Sequence, residues 1–310
     1  MPATLVLVHG RAAKPSRRAL RGLWVDALRA GLARDRPRLL PRFDDLHIEF
    51  VYFGDLSNAF LGVPVESRAQ VRSRRATLTT LMELSREDFR SRTAYRRLPG
   101  RTALRELLAD LAAGPAAALR VSEPLITTVA PDICEYWNAD TQFGSDLRFR
   151  MMGPLRRAFD RGGSILVLAH SLGTMIAWDT LWKFSRAGEY RPRYTHRRID
   201  TLITIGSPLG DTTVRRHLRG HAARGARRYP ANVRRWHNLA ARDDYIAHDQ
   251  KITDDFRPMR RLGLTDELDD HRILNFAVRE GRHNPHHSGG YLIHPDLTAR
   301  LAAWLRRVRA

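Results

Sequence analysis

Apolar positions in this chain fall into two alternating patterns. Leu5-Val6-Leu7-Val8 and Ile165-Leu166-Val167-Leu168-Ala169 are unbroken runs, and Ile199 to Ile205 is a third apolar segment of similar length. Such runs suit strands buried on both faces of a parallel sheet. Leu46 to Phe53 alternates before turning apolar, and Trp236 to Ala241 and Arg272 to Phe276 are further strand candidates. Between them, Leu20, Leu23, Trp24, Ala27, Leu28 and Leu32 recur at i, i+3, i+4 behind a Ser16 N-cap, which predicts a helix with one sheet-facing stripe. Thr174 to Phe184 and the segment from Pro295 through Leu301, Trp304 and Leu305 predict two more. The alternation predicts the α/β class: a mostly parallel sheet with helices on both faces, in one domain spanning residues 1–310.

The rhythm lapses from about Asp55 to Thr128. Leu78, Leu81 and Met82, then Leu104, Leu107, Leu108 and Leu111, keep helical spacing, punctuated by Pro99-Gly100 and Gly114-Pro115. This predicts a helical insertion, either a lid over a site or a packing element at the sheet edge. Asp132 to Gly153 then leads into an amphipathic helix ending near Arg161-Gly162-Gly163.

Charge adds a question. The formal net charge is +20, which invites a nucleic-acid reading. Lys14, Lys183 and Lys251 are the only lysines, so the excess is arginine. A GC-rich coding sequence gives that bias without any ligand, and no zinc spacing, recognition helix or aromatic-interleaved basic motif accompanies it. No specific nucleic-acid partner is expected, although a basic surface leaves peripheral contact with anionic lipid open. One cysteine, Cys134, fits a reducing compartment. The start, Met1-Pro2 followed at once by a strand, has no leader pattern, and no apolar run nears the roughly 20 residues of a membrane span. The expectation is a soluble, cytoplasmic protein.

The chemistry centres on Ala169-His170-Ser171-Leu172-Gly173, between a buried strand and a helix. Strand, tight turn and helix form the setting of a nucleophile elbow. Small residues are required two positions either side of the nucleophile, where strand and helix nearly touch, and Ala169 and Gly173 are small. The Leu172 N–H, at the helix N-terminus, can face a developing oxyanion. Ser207 is a poor alternative, because Pro208 directly after it removes an N–H at the position an oxyanion would need.

Here the sequence resembles the α/β-hydrolase family, in particular its lipase and esterase branch, with Ala169 in place of the first glycine of G-x-S-x-G. Leu5-Val6-Leu7-Val8-His9-Gly10, Ile205-Gly206-Ser207-Pro208-Leu209, Trp236-His237-Asn238 through Asp244, and His287 to Tyr291 extend the resemblance in chain order. It implies Ser171 as nucleophile, Asp244 as acid with Asp243 second, His287 as general base with His286 second, and a second oxyanion donor from the Arg11 N–H. The implied activity is hydrolysis of carboxylic esters, of small-molecule or lipid type, through an acyl-enzyme and without a cofactor. A catalytically silent binding or signalling module on the same fold is the alternative. Arg215, Arg216 and Arg219 open the most basic stretch, Arg215 to Arg235, a loop by pattern and a candidate contact for an acidic headgroup. A metal site among His283, His286, His287 and His294 lacks a second cluster with ligand spacing, so no metal is assigned.

Overall fold

The computed structural model describes residues 3–100 and 131–308. Six strands form one sheet: β1 (Thr4–Val8), β2 (His47–Val51), β3 (Ile165–His170), β4 (Ile199–Ile205), β5 (Val233–Ala241) and β6 (Glu267–Ile273). Their order is β2-β1-β3-β4-β5-β6 and every neighbouring pair is parallel. The helices that cover the sheet are α1 (Arg17–Asp35), α2 (Gly54–Phe60), α3 (Arg68–Met82), α4 (Pro131–Trp137), α5 (Phe143–Arg161), α6 (Leu172–Arg186), α7 (Thr212–His217), α8 (Ile252–Arg261), α9 (Ser288–Leu292) and α10 (Pro295–Arg307). Alternation along the strands sorts the core into two layers. Val6, Val8, Val167, Ala169, Leu202 and Trp236 face α5, α6 and α8. Leu5, Leu7, Leu166, Leu168, Ile203 and Leu239 face α1 and α10. Burial on both faces is why these strands read as continuous apolar runs.

The two sequence-predicted end helices form with the expected caps. Ser16 Oγ accepts from the Ala19 N–H at the start of α1, and Pro295 occupies the first turn of α10. Two boundaries differ from the sequence pattern. The last strand is Glu267–Ile273, not Arg272 to Phe276. It pairs on one side only, with β5, and an edge strand keeps polar side chains where a central one cannot; Phe276 instead leaves the sheet to pack on Phe89 and Tyr95. The basic stretch is not one loop: it begins inside α7, capped by Asp211, and ends inside β5. In the predicted insertion, α3 starts with a Ser67–Gln70 capping box and buries Leu78 and Leu81 in the α1 layer. Leu104 to Leu111 lie outside the described residues. No described helix is long and apolar enough to cross a membrane.

The strand order places the site. The chain leaves β1 toward β2 on one side and returns to β3 on the other, so the order reverses between β1 and β3. In open parallel sheets the crevice at the carboxyl ends of the strands flanking that reversal is where ligands bind. Gly10 and Ser171 stand there, just past β1 and β3.

Candidate functional site

Ser171 sits between the last residue of β3 and the first of α6 with φ 54° and ψ −128°, a left-handed conformation that costs a non-glycine residue on the order of 1–3 kcal/mol. Neighbours hold it there. Its N–H donates to Ile205 O at 3.1 Å, and its carbonyl accepts from the Thr174 N–H at 2.8 Å and the Thr174 hydroxyl at 2.7 Å. Close approach on either side excludes larger residues. A Cβ on Gly173 would lie 2.3 Å from His9 O, and one on Gly10 would lie 2.8 Å from Ser171 Cβ. The strand-to-helix turn is thus wedged against the end of β1. Leu172 is the first residue of α6, so its N–H has no intrahelical acceptor.

A chain of hydrogen bonds runs from this hydroxyl. Ser171 Oγ lies 3.0 Å from His286 Nε2, and His286 Nδ1 lies 2.9 Å from Asp244 Oδ2 and 3.0 Å from Oδ1. The carboxylate can only accept, so Nδ1 carries the proton and Nε2 accepts from the serine. Asp244 is fixed in turn: its Oδ1 accepts from the Ile246 N–H at 3.0 Å, and its Oδ2 from the Tyr291 hydroxyl at 2.6 Å. Burial, and then the Asp244 charge, push the Tyr291 phenol well above its ordinary pKa, so it remains a donor. Ser171 has no exposed surface, whereas the His286 side chain is 27% exposed.

The structure thus brings Ser171, Asp244 and His286 together, and His287, the expected base, is displaced by its neighbour. His287 caps α9, its Nδ1 accepting from the Gly289 N–H at 3.2 Å. Asn275 enforces this turn by donating to Pro285 O at 2.8 Å and His287 O at 3.0 Å. A Cβ on Gly290 would fall 1.7 Å from Asn275 Oδ1, so the glycine admits the amide. His170 adds support from below. Its Nε2 donates to His286 O at 3.0 Å, and burial holds it neutral. Neither Asn275 nor His170 carried a signal in the sequence, because both act through carbonyls that only the folded loop presents.

The turn after β1 is equally held. His9 Nε2 accepts from the Phe53 N–H at 3.1 Å, so its Nδ1 is the donor to Gly10 O at 2.8 Å. Burial, with Lys14 nearby, lowers His9 to about 3 and keeps it in that neutral tautomer. Arg11 Nε donates to Asp132 Oδ1 at 2.7 Å. The candidate headgroup arginines stand elsewhere. Arg215 pairs with Asp255 and donates to Gly210 O. Arg215 and Arg219 line a cleft with Trp178, Arg228, Tyr229 and Phe256, whose walls include none of Ser171, His286 or Asp244. Arg216 lies on α7.

Among the described residues, one group has metal-ligand composition: His237, Asp269 and His271 offer atoms within 4.8 Å of one another, on paired strands. The surroundings oppose a cation. An Arg300 guanidinium nitrogen stands 3.4 Å from His271 Nδ1, and burial together with Arg300 lowers His237 to about 4. In comparisons with known proteins, the chain matches no family model, no curated protein and no solved structure.

Proposed function

We propose that the protein is a serine hydrolase of the α/β-hydrolase type that cleaves carboxylic esters through an acyl-enzyme. One observation carries this reading: the unbroken Ser171–His286–Asp244 hydrogen-bond chain, with its serine on a strained turn at the sheet's switch point. His286 Nε2 takes the hydroxyl proton as Ser171 Oγ attacks the ester carbonyl, and Asp244 stabilises the imidazolium that forms. The proton then passes to the leaving alkoxide, and a water activated by the same nitrogen releases the acid. The Leu172 and Arg11 N–H groups are the proposed oxyanion donors, each expected to lower the barrier by roughly 3–4 kcal/mol. Because Ser171 is fully buried, an acyl group reaches it only when the atoms above the elbow move aside. The same burial favours a second reading, a catalytically silent binding module on this fold.

A fluorophosphonate probe separates the two readings without knowledge of the substrate. The wild-type chain is expected to label stoichiometrically and to hydrolyse short nitrophenyl esters, and Ser171→Ala to do neither at an unchanged melting temperature. Equal labelling of both proteins would overturn the hydrolase reading, and absence of labelling in the wild type would favour the silent module.

A further inference from the structure

Two charged side chains are buried against the β1 turn, Asp132, which meets Arg11, and Lys14, which the turn wraps. Only 9% of Lys14 is exposed. Its ammonium donates to three consecutive carbonyls, those of Arg11, Ala12 (3.1 Å) and Ala13 (3.4 Å). Its own backbone is clamped by one amide: Asn58 Oδ1 accepts from the Lys14 N–H at 2.9 Å, and Asn58 Nδ2 donates to Lys14 O at 3.0 Å. Three carbonyls converge here because the turn belongs to no strand or helix, so its acceptors need side-chain donors. An ammonium is the one side-chain group that offers three donors from a single atom.

This wrapping fixes backbone direction in the turn after β1. In a trans peptide the N–H points opposite to the preceding carbonyl. With Gly10 O held by His9 and Arg11 O held by Lys14, the Arg11 N–H is pinned from both sides, next to Gly10, on which a Cβ would lie 2.8 Å from Ser171 Cβ. Ala12, with φ 71°, is held in a conformation it would otherwise leave.

From this geometry we infer that Lys14 is a positioning residue for the oxyanion-binding turn, holding the Arg11 N–H toward Ser171 through its three carbonyl contacts. The inference rests on the hydrolase reading above. A neutral amine has one N–H fewer and must release one of these carbonyls; Ala13 O keeps the Arg74 guanidinium at 3.4 Å, whereas release of Arg11 O or Ala12 O loosens the turn, so the protonated form is the organising one. Burial, with Arg74 and Arg11 opposing and Glu66 and Asp132 supporting the charge, lowers Lys14 to about 7. Lys14 also lies near His9, His170 and His287, all held neutral by burial.

Lys14→Met preserves length and removes every donor. Hydrolysis of 4-nitrophenyl acetate by this variant should lose roughly 10- to 100-fold in kcat, as for a misplaced donor, with KM changed less than threefold. The wild-type kcat should also fall as pH rises through 7 to 9, and that falling limb should be missing in Lys14→Met. If the variant fails to fold, the wild-type profile alone decides, and a kcat that stays flat to pH 9.5 overturns the role. An unchanged kcat in a folded variant also overturns it. A wild type that the fluorophosphonate probe does not label overturns the hydrolase reading and this role with it, whereas a labelled wild type matched in rate by Lys14→Met overturns this role alone.

Discussion

Two adjacent histidines, His286 and His287, have the same composition-level claim to act as base, and their surroundings separate them completely. The 286 ring spans Ser171 and Asp244. The 287 ring caps a helix and has its pKa lowered to about 3 by burial and nearby cations, Arg74 foremost. His286→Ala should therefore reduce kcat by roughly 10⁴-fold or more, as removal of a triad base does. His287→Ala should leave kcat within a few-fold and cost about 1 kcal/mol through the lost cap. Paired kinetics and urea titrations check both, and a reversed order would return the base role to His287. No pattern in the sequence distinguishes the two, since the Asn275 amide that turns the loop lies more than ten residues away.

At the level of elements, the contact between β1 and α6 controls the geometry of the elbow. A side chain at Gly173 has nowhere to go: its Cβ would stand 2.3 Å from His9 O and 2.8 Å from Val8 O, both backbone atoms. Gly173→Ala should force strand and helix apart, destabilising the fold by about 3 kcal/mol and abolishing probe labelling. Gly22, inside α1, provides the contrast, because a Cβ there meets nothing within 4 Å. Gly22→Ala should stabilise by about 0.5–1 kcal/mol by removing backbone freedom from the unfolded chain. Urea midpoints of the two variants should therefore move in opposite directions. A Gly173→Ala protein of wild-type stability and labelling would mean the elbow is not wedged as described.

At the level of the whole molecule, buried neutral imidazoles set the response to acid. His9 and His294 are lowered to about 3 and His237 to about 4, in each case chiefly by burial. The unfolded chain binds protons at these sites near 6.5, the folded chain only near 3 to 4. Unfolding therefore takes up protons throughout that window, and stability falls as pH drops from about 6.5 toward 3. Each site contributes on the order of 1 kcal/mol per pH unit. The melting temperature should drop steeply between pH 6.5 and 4 and should change far less between pH 6.5 and 7.5. A melting temperature unchanged down to pH 4 would show that these rings take up protons without unfolding.

The sequence by itself determined the α/β architecture and singled out the strand-to-helix turn at Ser171. Continuous apolar runs specify doubly buried strands because alternate side chains must all find a covered face, and the 3.6-residue stripes specify the helices that cover them. The small residues around Ser171 were legible for the same steric reason. Asp244, with Asp243 second, was singled out through the family resemblance, and the structure brings Asp244 to His286. Edge strand β6 was misplaced because, covered on fewer sides, it tolerates Glu267, Asp269 and His271, so its pattern carries little apolar signal. Only the tertiary structure decided which histidine meets the serine and how the β1 turn is held. Those outcomes depend on His286, Asn275, Lys14 and Asp132, whose partners lie in other segments of the chain or at backbone carbonyls that sequence does not display. Only the structure, too, placed Arg215 against Asp255, away from Ser171. Periodicity reports what each residue needs from its nearest neighbours along an element. Hydrogen bonds between loops depend on where elements cross, and the packed sheet alone sets those crossings.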